Sequence, residues 1–317
     1  MRKFSIPYTQ NDPDTYLTAI YPYKENIDSI YIGINSLCKN HLDYEIKNKT
    51  LYDTYALEFL EKSLGGYKRL LTLNSGFYPM DTSTMLTWCT SILFPVIEYT
   101  NLDGCICTDF NMAKHIHDTF PNLELHTSCN CYQWLVPQMN YWREYCGISV
   151  FNPPREILRT PNKLKEFHDA GFKIKAILNE ACLFGCPQSI NHCMGYATNV
   201  TTYIDCMRDD PSNFFKCNWI LPEWLDKLDK YVDIYKLSGR NKDISYIVNL
   251  LDIYINSKPV PNILDIFTGG NVSRARKLFT PIPSSDIPDI LLTCQQKQCG
   301  AECTICQQLA ERYLRNA

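Results

Sequence analysis

Four cysteines near the C-terminus have the spacing of a metal site. Cys294, Cys299, Cys303 and Cys306 are separated in turn by four, three and two residues. Thiolates this close repel one another, and neighbouring thiols oxidise, so a bound cation resolves both problems. Tight runs are typical of iron–sulfur clusters, whereas zinc more often takes Cys-x2-Cys arms separated by a longer loop. The run predicts an iron–sulfur cluster, with zinc and a metal-free redox tail as the alternatives.

A second cysteine group follows the apolar run "IKAIL", in the stretch "NEACLFGCPQSINHC" and beyond it. Cys182 and Cys186 leave the predicted strand one helical turn apart, so both sulfurs can face one cluster. We predict that Cys182, Cys186 and Cys206 are the core ligands of a 4Fe-4S cluster. Cys217 is the preferred fourth ligand and Cys193 the reserve. The alternative for any single cysteine is a small buried side chain, and we assign that role to Cys38, Cys89, Cys105 and Cys107.

Three polar residues near the second group are candidates for catalysis. Glu180 precedes the first predicted ligand and is expected either to act as a general base or to cap the loop. Arg240 is expected to hold a carboxylate or phosphate, or to form a salt bridge with Asp109 or Glu180. His192 has three readings, as a ligand, a proton donor or a structural residue, and the structural one is favoured. Further polar residues follow predicted strands: Asn74, Asp109, Ser128, Asn152, Arg155 and Asn179.

The elements that position these residues alternate along the chain. Short apolar runs predict eight strands, at 4–9, 29–34, 69–74, 104–110, 123–128, 147–152, 173–179 and 233–239. Helical patterns follow at 111–120, 132–146, 162–171 and 243–257, with Asn162 as a possible cap of the third. This order predicts an α/β (β/α)8 TIM-like barrel, with a doubly wound sheet as the alternative. The barrel would span 1–260, with a cysteine-rich insertion at 180–222 after strand 7, and an irregular, cysteine-rich tail would span 261–317.

Composition narrows the function classes. The chain has 317 residues, of which 45% are hydrophobic, so it can build a sizeable core. A net charge of -3 does not support long nucleic acid as a partner. The start of the chain does not read as a signal peptide, and the most apolar stretch is too short to cross a membrane. We therefore predict a cytoplasmic protein, in which 16 cysteines favour metal or redox roles over disulfides.

Several motifs resemble the collagenase-like peptidase family, the U-32 group. They are Asn179-Glu180, the Cys-x3-Cys-Pro-x4-His element, Cys206, Trp219-Ile220-x-Pro222 and Ser238-Gly239-Arg240. The resemblance runs from about Phe4 to Cys306. It implies a barrel-like fold and a four-iron cluster held by cysteines of the insertion. Relatives of this kind take part in oxygen-independent hydroxylation of RNA bases or of a quinone ring.

These features together predict an iron–sulfur enzyme that carries out a redox modification of a small or carrier-bound substrate. A protein partner or an electron donor is expected, and the C-terminal cysteines would hold a second cluster. One alternative is a binding or assembly subunit whose partner does the chemistry. Another is a zinc-stabilised peptidase, which is disfavoured because the sequence has no H-E-x-x-H run.

Overall fold

The chain folds as a closed barrel of eight parallel strands, each hydrogen-bonded to its neighbours in sequence order. The computed structural model describes residues 1–9, 11–33, 51–62, 66–75, 81–192, 207, 210–294 and 303–315. The strands are β1 Phe4–Pro7, β2 Ile27–Ile32, β3 Lys68–Leu73, β4 Gly104–Cys107, β5 Glu124–Thr127, β6 Ile148–Phe151, β7 Lys173–Ile177 and β8 Ile234–Lys236. Each lies where the sequence predicts a strand, so the predicted barrel is confirmed.

Helices cover the outside of the barrel. They are α1 Pro13–Ile20, α2 Leu51–Glu61, α3 Thr82–Trp88, α4 Phe94–Thr100, α5 Phe110–Thr119, α6 Val136–Cys146, α7 Pro161–Asp169, α8 Leu225–Leu228, α9 Ile244–Ile255, α10 Gly270–Leu278, α11 Ile290–Thr293 and α12 Ile305–Tyr313. A π-helical segment, Cys89–Leu93, joins α3 to α4. Among the helices of these described ranges, none is long and apolar enough to cross a lipid bilayer.

Some predicted helix details are wrong. The helix predicted at 132–146 begins at Val136, because Tyr132 adopts a left-handed conformation after a short 3-10 turn. Thr160 rather than Asn162 occupies the N-cap of α7, because Pro161 already fits the first helical turn. The part of the tail expected to be irregular, 264–288, contains the regular helix α10.

Side chains of the strands alternate between the outside and the inside of the barrel, and each set packs in its own region. Outward-facing side chains of the strands join the helices in one large core, which includes the buried thiols of Cys89, Cys105 and Cys107 as predicted. Tyr31, Leu70 and Ile106 form a separate cluster inside the barrel. Residues two apart along a strand face the same side, so these three side chains identify the inward positions of their strands.

The strand register places the inward residues in layers across the barrel, and each layer is contributed by alternate strands. One layer contains Ser5, Leu70, His126 and Lys175, and the next layer toward the carboxyl ends contains Tyr31, Ile106, Asn152 and Lys236. The two layers differ in how their polar groups are satisfied.

Candidate functional site at the barrel mouth

The mouth of the barrel gathers the residues that follow the strands. Carboxyl ends of parallel strands meet at one face of a closed barrel, where the connecting loops form the site in enzymes of this fold. Glu180 follows β7, Arg155 follows β6, and Lys236 and Arg240 end or follow β8. The fold therefore brings together one carboxylate and three cationic side chains.

Glu180 forms an ion pair with Arg155, whose Nε donates to a carboxylate oxygen. Arg155 also donates through Nη1 to Asn130 Oδ1 at 3.2 Å. Burial alone would raise the pKa of Glu180, but the charges of Arg155, Lys236 and Arg240 outweigh it and lower that pKa. Glu180 is therefore held as a carboxylate, which suits a proton acceptor more than a proton donor.

Lys236 lies deeper in the mouth and is only 7% exposed. Its Nζ sits 4.4 Å from the ring centroid of Tyr31, a cation–π contact. Within the described part of the chain, no oxygen or nitrogen acceptor lies within hydrogen-bond distance of Nζ. Burial lowers the pKa of Lys236, against the opposing influence of Cys129 and Glu180. A buried ammonium without an acceptor carries an unmet cost of desolvation.

Two further polar atoms of the mouth are buried and have no hydrogen-bond partner among the described residues. Asn152 donates through Nδ2 to the Thr127 carbonyl, but its Oδ1 accepts nothing. The hydroxyl of Thr108, just beyond β4 and two residues after the inward-facing Ile106, is also unsatisfied. Buried polar atoms are paired in the great majority of cases, so each exception requires an explanation.

Arg240 reaches across the mouth toward β2 and β3. Its Nη1 lies 3.4 Å from Thr72 Oγ1. Gly33 makes room for it, because a Cβ at that position would overlap the guanidinium. The expected salt bridge to Asp109 or Glu180 is absent among the described residues: Glu180 pairs with Arg155.

The other polar residues predicted at strand ends are mainly structural. Asn179 Oδ1 accepts from the backbone N–H of Ser238 at 2.7 Å and its Nδ2 donates back to the Ser238 carbonyl, which ties β7 to β8. Asp109 caps α5 through the N–H of Met112. Ser128 accepts from the backbone of Asn130, whose amide also donates to the Asn74 carbonyl.

Beneath the mouth, the barrel contains a satisfied chain of charged groups. Lys175 Nζ lies 3.0 Å from His126 Nδ1 and also contacts the hydroxyls of Ser5 and Ser29. His126 Nε2 lies 2.8 Å from a carboxylate oxygen of Glu124, and Glu124 in turn forms an ion pair with Lys68. The network therefore consists of four titratable side chains and two hydroxyls: Lys175, His126, Glu124, Lys68, Ser5 and Ser29. Lys175 is the donor to Nδ1, so the proton of a neutral His126 resides on Nε2.

Their pKa values follow from burial and from one another. Burial lowers the pKa of Lys175 to about 7 and, together with the Lys175 charge, that of His126 to about 3. Burial would raise the pKa of Glu124, but hydrogen bonds from His126 and Lys68 outweigh it and lower the value to about 2. These groups lie toward the amino ends of the strands, where barrel residues serve stability rather than catalysis.

The cysteine groups of the insertion and the tail converge on Arg159. This arginine is fully buried and donates to the carbonyls of Leu291 and Cys217. Its Nη2 lies 3.9 Å from Cys294 Sγ, and no carboxylate among the described residues forms an ion pair with it. Burial lowers the pKa of Arg159, whereas the nearby thiols of Cys294, Cys306 and Cys217 act in the opposite direction.

Cys217 is also joined to the start of the insertion. Leu183 pairs with Cys217 as an antiparallel bridge, and the Asn218 N–H donates to the Cys182 carbonyl at 2.7 Å. Asn271, in the first turn of α10, donates an N–H to Cys217 Sγ at 3.6 Å. The Asn218 side chain is buried, and in the part of the chain that the structure describes neither its oxygen nor its nitrogen has a hydrogen-bond partner.

The remaining predicted ligands lie further out or outside the described residues. Cys186 is partly buried and Cys303 is exposed. His192 lies near Arg155, and burial followed by that charge lowers its pKa. Cys193, Cys206 and Cys299 fall outside the described residues. Among the described residues, no three side chains of metal-binding type are grouped closely enough to hold one ion as they stand.

A cavity of about 430 Å³ lies elsewhere, on the outer surface between the α3 region and α5. It is lined by Ser83, Leu86, Thr87, Thr90, Ser91 and His115. It contains one titratable side chain and no convergent charges, so the barrel mouth is the better candidate site.

Comparisons with known proteins agree with the fold. No family model matches the chain. Over 210 residues it is 24% identical to a protein of Methanocaldococcus jannaschii described as an uncharacterized protease, MJ1657; the match covers 61% of this chain and 61% of that protein. The chain thus spans about three-fifths of the length of the curated relative it matches. The solved structure of the U32 peptidase Mk0906 gives a TM-score of 0.53 at 11% identity, covering 77% of this chain and 95% of that one.

The fold and the strand-end site define a (β/α)8 barrel protein with a cysteine-rich insertion after β7. The resemblance that the motifs indicated thus extends to a protein described as a protease, in sequence, and to a U32 peptidase, in fold. At 11% identity, the structural likeness shows the fold alone.

Sequence reasoning missed Lys236, Lys175 and Arg159. Two of these are charged residues inside otherwise apolar strands, in "DIYKLSG" and "KIKAILN". Side chains alternate between the two faces of a strand, so counting along these strands would have placed both lysines on the inward face of the barrel. Arg159 lies in a 3-10 segment, Arg155–Arg159, and its burial depends on the tail, which no local pattern reveals.

Proposed function

We propose that this protein is an iron–sulfur enzyme of the U32 peptidase-like type that carries out a redox modification of a substrate bound at the barrel mouth. The observation that carries the proposal is the buried guanidinium of Arg159, beside thiols from both the insertion and the tail. A buried charge requires a compensating charge, and thiolates bound to a metal are negative.

The surroundings of Cys217 fit a metal-bound thiolate. The side-chain Nδ2 of Asn271 donates to its sulfur, and the amino end of a helix favours negative charge. The unpartnered amide of Asn218 is available to hydrogen-bond a group that sits beside Cys182 and Cys217. Hydrogen bonds to sulfur and the degree of burial tune the potential of such clusters.

In this proposal Cys182, Cys186, Cys206 and Cys217 hold the cluster of the insertion, with Cys193 as reserve. The C-terminal cysteines hold a second metal. With all four cysteines bound the cluster would supply electron transfer, and with three it would also offer an open iron for a donor group. The chain's own residues orient the substrate: Arg155 fixes the carboxylate of Glu180, which accepts a proton, while Arg240 and Lys236 face the substrate from β8. We further propose a reducing, cytoplasmic setting and a separate electron donor.

The test is anaerobic purification followed by iron, sulfide and zinc analysis and electron paramagnetic resonance. We expect iron and acid-labile sulfide in equal amounts. Cys182→Ala and Cys217→Ala should each lose the signal of the insertion cluster. Cys89→Ala, which removes a buried thiol of the outer core, is the matched control and should retain it. Protein with zinc alone, or with no metal, would overturn the proposal.

Peptide hydrolysis is a second candidate, because both relatives are described as peptidases or proteases. The observation that favours it is Cys129, a thiol near Lys236 at the mouth. If metal-free protein cleaves peptides and Cys129→Ala does not, the site hydrolyses rather than oxidises or reduces its substrate. An iron signal that is unaffected by any substrate, with activity only in the presence of a partner protein, would indicate an assembly subunit.

A further inference from the structure

In the ranges that the structure describes, the barrel mouth contains a hydrogen-bond donor without an acceptor and a hydrogen-bond acceptor without a donor. Among the described residues, Lys236, which is 7% exposed, has no hydrogen-bond acceptor, and the buried carbonyl oxygen of Asn152 has no donor. Both side chains belong to the same inward layer, on the alternate strands β6 and β8. Tyr31 and Ile106, which complete that layer, offer a ring face and an aliphatic surface rather than a neutralising charge.

The charge around this layer is positive. Lys236, Arg155 and Arg240 carry three positive charges, against which the described residues set the carboxylate of Glu180. A neutral ligand would leave Lys236 buried and uncompensated. A ligand with an oxyanion would accept from Lys236 and place negative charge where the mouth attracts it.

The free carbonyl oxygen of Asn152 adds a second requirement. Its amide nitrogen is already committed to the Thr127 carbonyl, so the orientation of the amide is fixed and its oxygen remains an acceptor. An oxyanion without a proton would face this oxygen with lone pairs on both sides. A ligand that also carries an O–H satisfies Asn152, and the hydroxyl of Thr108 can serve either role.

We propose that the barrel mouth binds an oxyanion group that also donates a hydrogen bond, such as hydrogen phosphate or a 2-hydroxycarboxylate, with Lys236 donating to the anion and Asn152 Oδ1 accepting from its O–H. This inference names the substrate class of the function proposed above. It requires no iron, because binding is measured without turnover, so the two proposals can fail separately.

The experiment uses four small probes in two matched pairs, titrated calorimetrically into the full-length protein. Phosphate is compared with sulfate, and glycolate with acetate, because the first member of each pair has the O–H that the second lacks. We expect the donor-bearing member to bind at least tenfold more tightly in at least one pair, and the tighter pair identifies the source of the oxyanion. Equal affinity within both pairs would overturn the role of Asn152. No measurable binding of any probe would overturn the site.

Three variants locate the site. Lys236→Met should weaken the best probe at least tenfold, and Thr108→Val should weaken it severalfold. Lys242→Met, which removes an exposed lysine of the next loop, is the control and should bind within twofold of the original protein. Thr108→Val has nearly the original shape, so it provides a folded variant should Lys236→Met misfold. Wild-type affinity in both mouth variants would contradict the proposal.

Discussion

Lys175 and Lys236 are both buried inside the barrel, on adjacent strands and in adjacent layers, yet their surroundings differ. Lys175 has three hydrogen-bond partners, two of them hydroxyls and one an imidazole that leads to a carboxylate. Lys236 has an aromatic face and, within the described residues, no hydrogen-bond acceptor. A satisfied buried charge serves the fold, whereas an unsatisfied one indicates a ligand that the fold is shaped to receive.

The largest expected effect comes from breaking the satisfied network. Glu124→Gln removes the charge that His126 and Lys68 share, and it leaves both with a weaker partner. We expect the free energy of unfolding to fall by about 2–3 kcal/mol, measured by urea denaturation at pH 7. Glu166→Gln is the control, because its pair with Lys163 is on the surface; a loss as large there would remove the distinction between network and surface.

The mouth should respond in the opposite direction. Lys236→Met keeps the length of the side chain and removes a buried ammonium that lacks an acceptor. We expect the ligand-free variant to unfold at the same or a higher urea concentration than the original protein, because folding no longer has to desolvate an ammonium group. A loss of about 2 kcal/mol or more would mean that Lys236 is structural, like Lys175.

The pH dependence of stability should separate the two lysines further. The pKa of Lys175 is about 7 in the folded protein, below the value of about 10.4 in an unfolded chain, so above pH 7 the unfolded state binds more protons. The cost that this buried lysine imposes on folding is therefore full below pH 7 and shrinks as pH rises from 7 toward about 10.4, so stability rises with pH in that window. Asp28 and Glu124 oppose the effect of burial, and Lys236 and Lys68 reinforce it.

Urea denaturation at pH 7 and pH 8 measures this change. Between these values the free energy of unfolding should increase by on the order of 1 kcal/mol, and Lys175→Met should remove that increase. The window stops at pH 8 because buried thiols, whose pKa values are raised, act in the reverse sense at higher pH. An unchanged slope in Lys175→Met would show that the lysine does not titrate there.

The smallest expected effect concerns Gly33. A methyl group at this position overlaps the guanidinium of Arg240, which must move away from the mouth. We expect Gly33→Ala to weaken binding of the best oxyanion probe twofold to threefold and to leave the circular dichroism spectrum unchanged. Binding as tight as in the original protein would show that Arg240 does not contribute to the site.

The strands could be predicted because each is a short apolar run between polar segments, and eight such runs favour closure. Glu180 and Arg240 could be placed at the mouth because they follow strands. The partner of Glu180 could not be predicted, because Arg155 and Arg240 both follow strands and only the packed loops decide between them. The convergence of Cys217 with Cys294 on Arg159 depends on how the tail returns to the barrel, which sequence spacing does not encode.

The most direct test of the contrast between the two lysines is nuclear magnetic resonance of protein labelled with ¹³C at the lysine Cε, titrated with and without the best oxyanion probe. Lys236→Met and Lys175→Met assign the two resonances. We predict that the probe raises the pKa of Lys236, because bound negative charge favours its ammonium form, while the pKa of Lys175 stays where it was. If the probe leaves Lys236 unchanged, or shifts Lys175 as much as Lys236, the barrel mouth is not an oxyanion site.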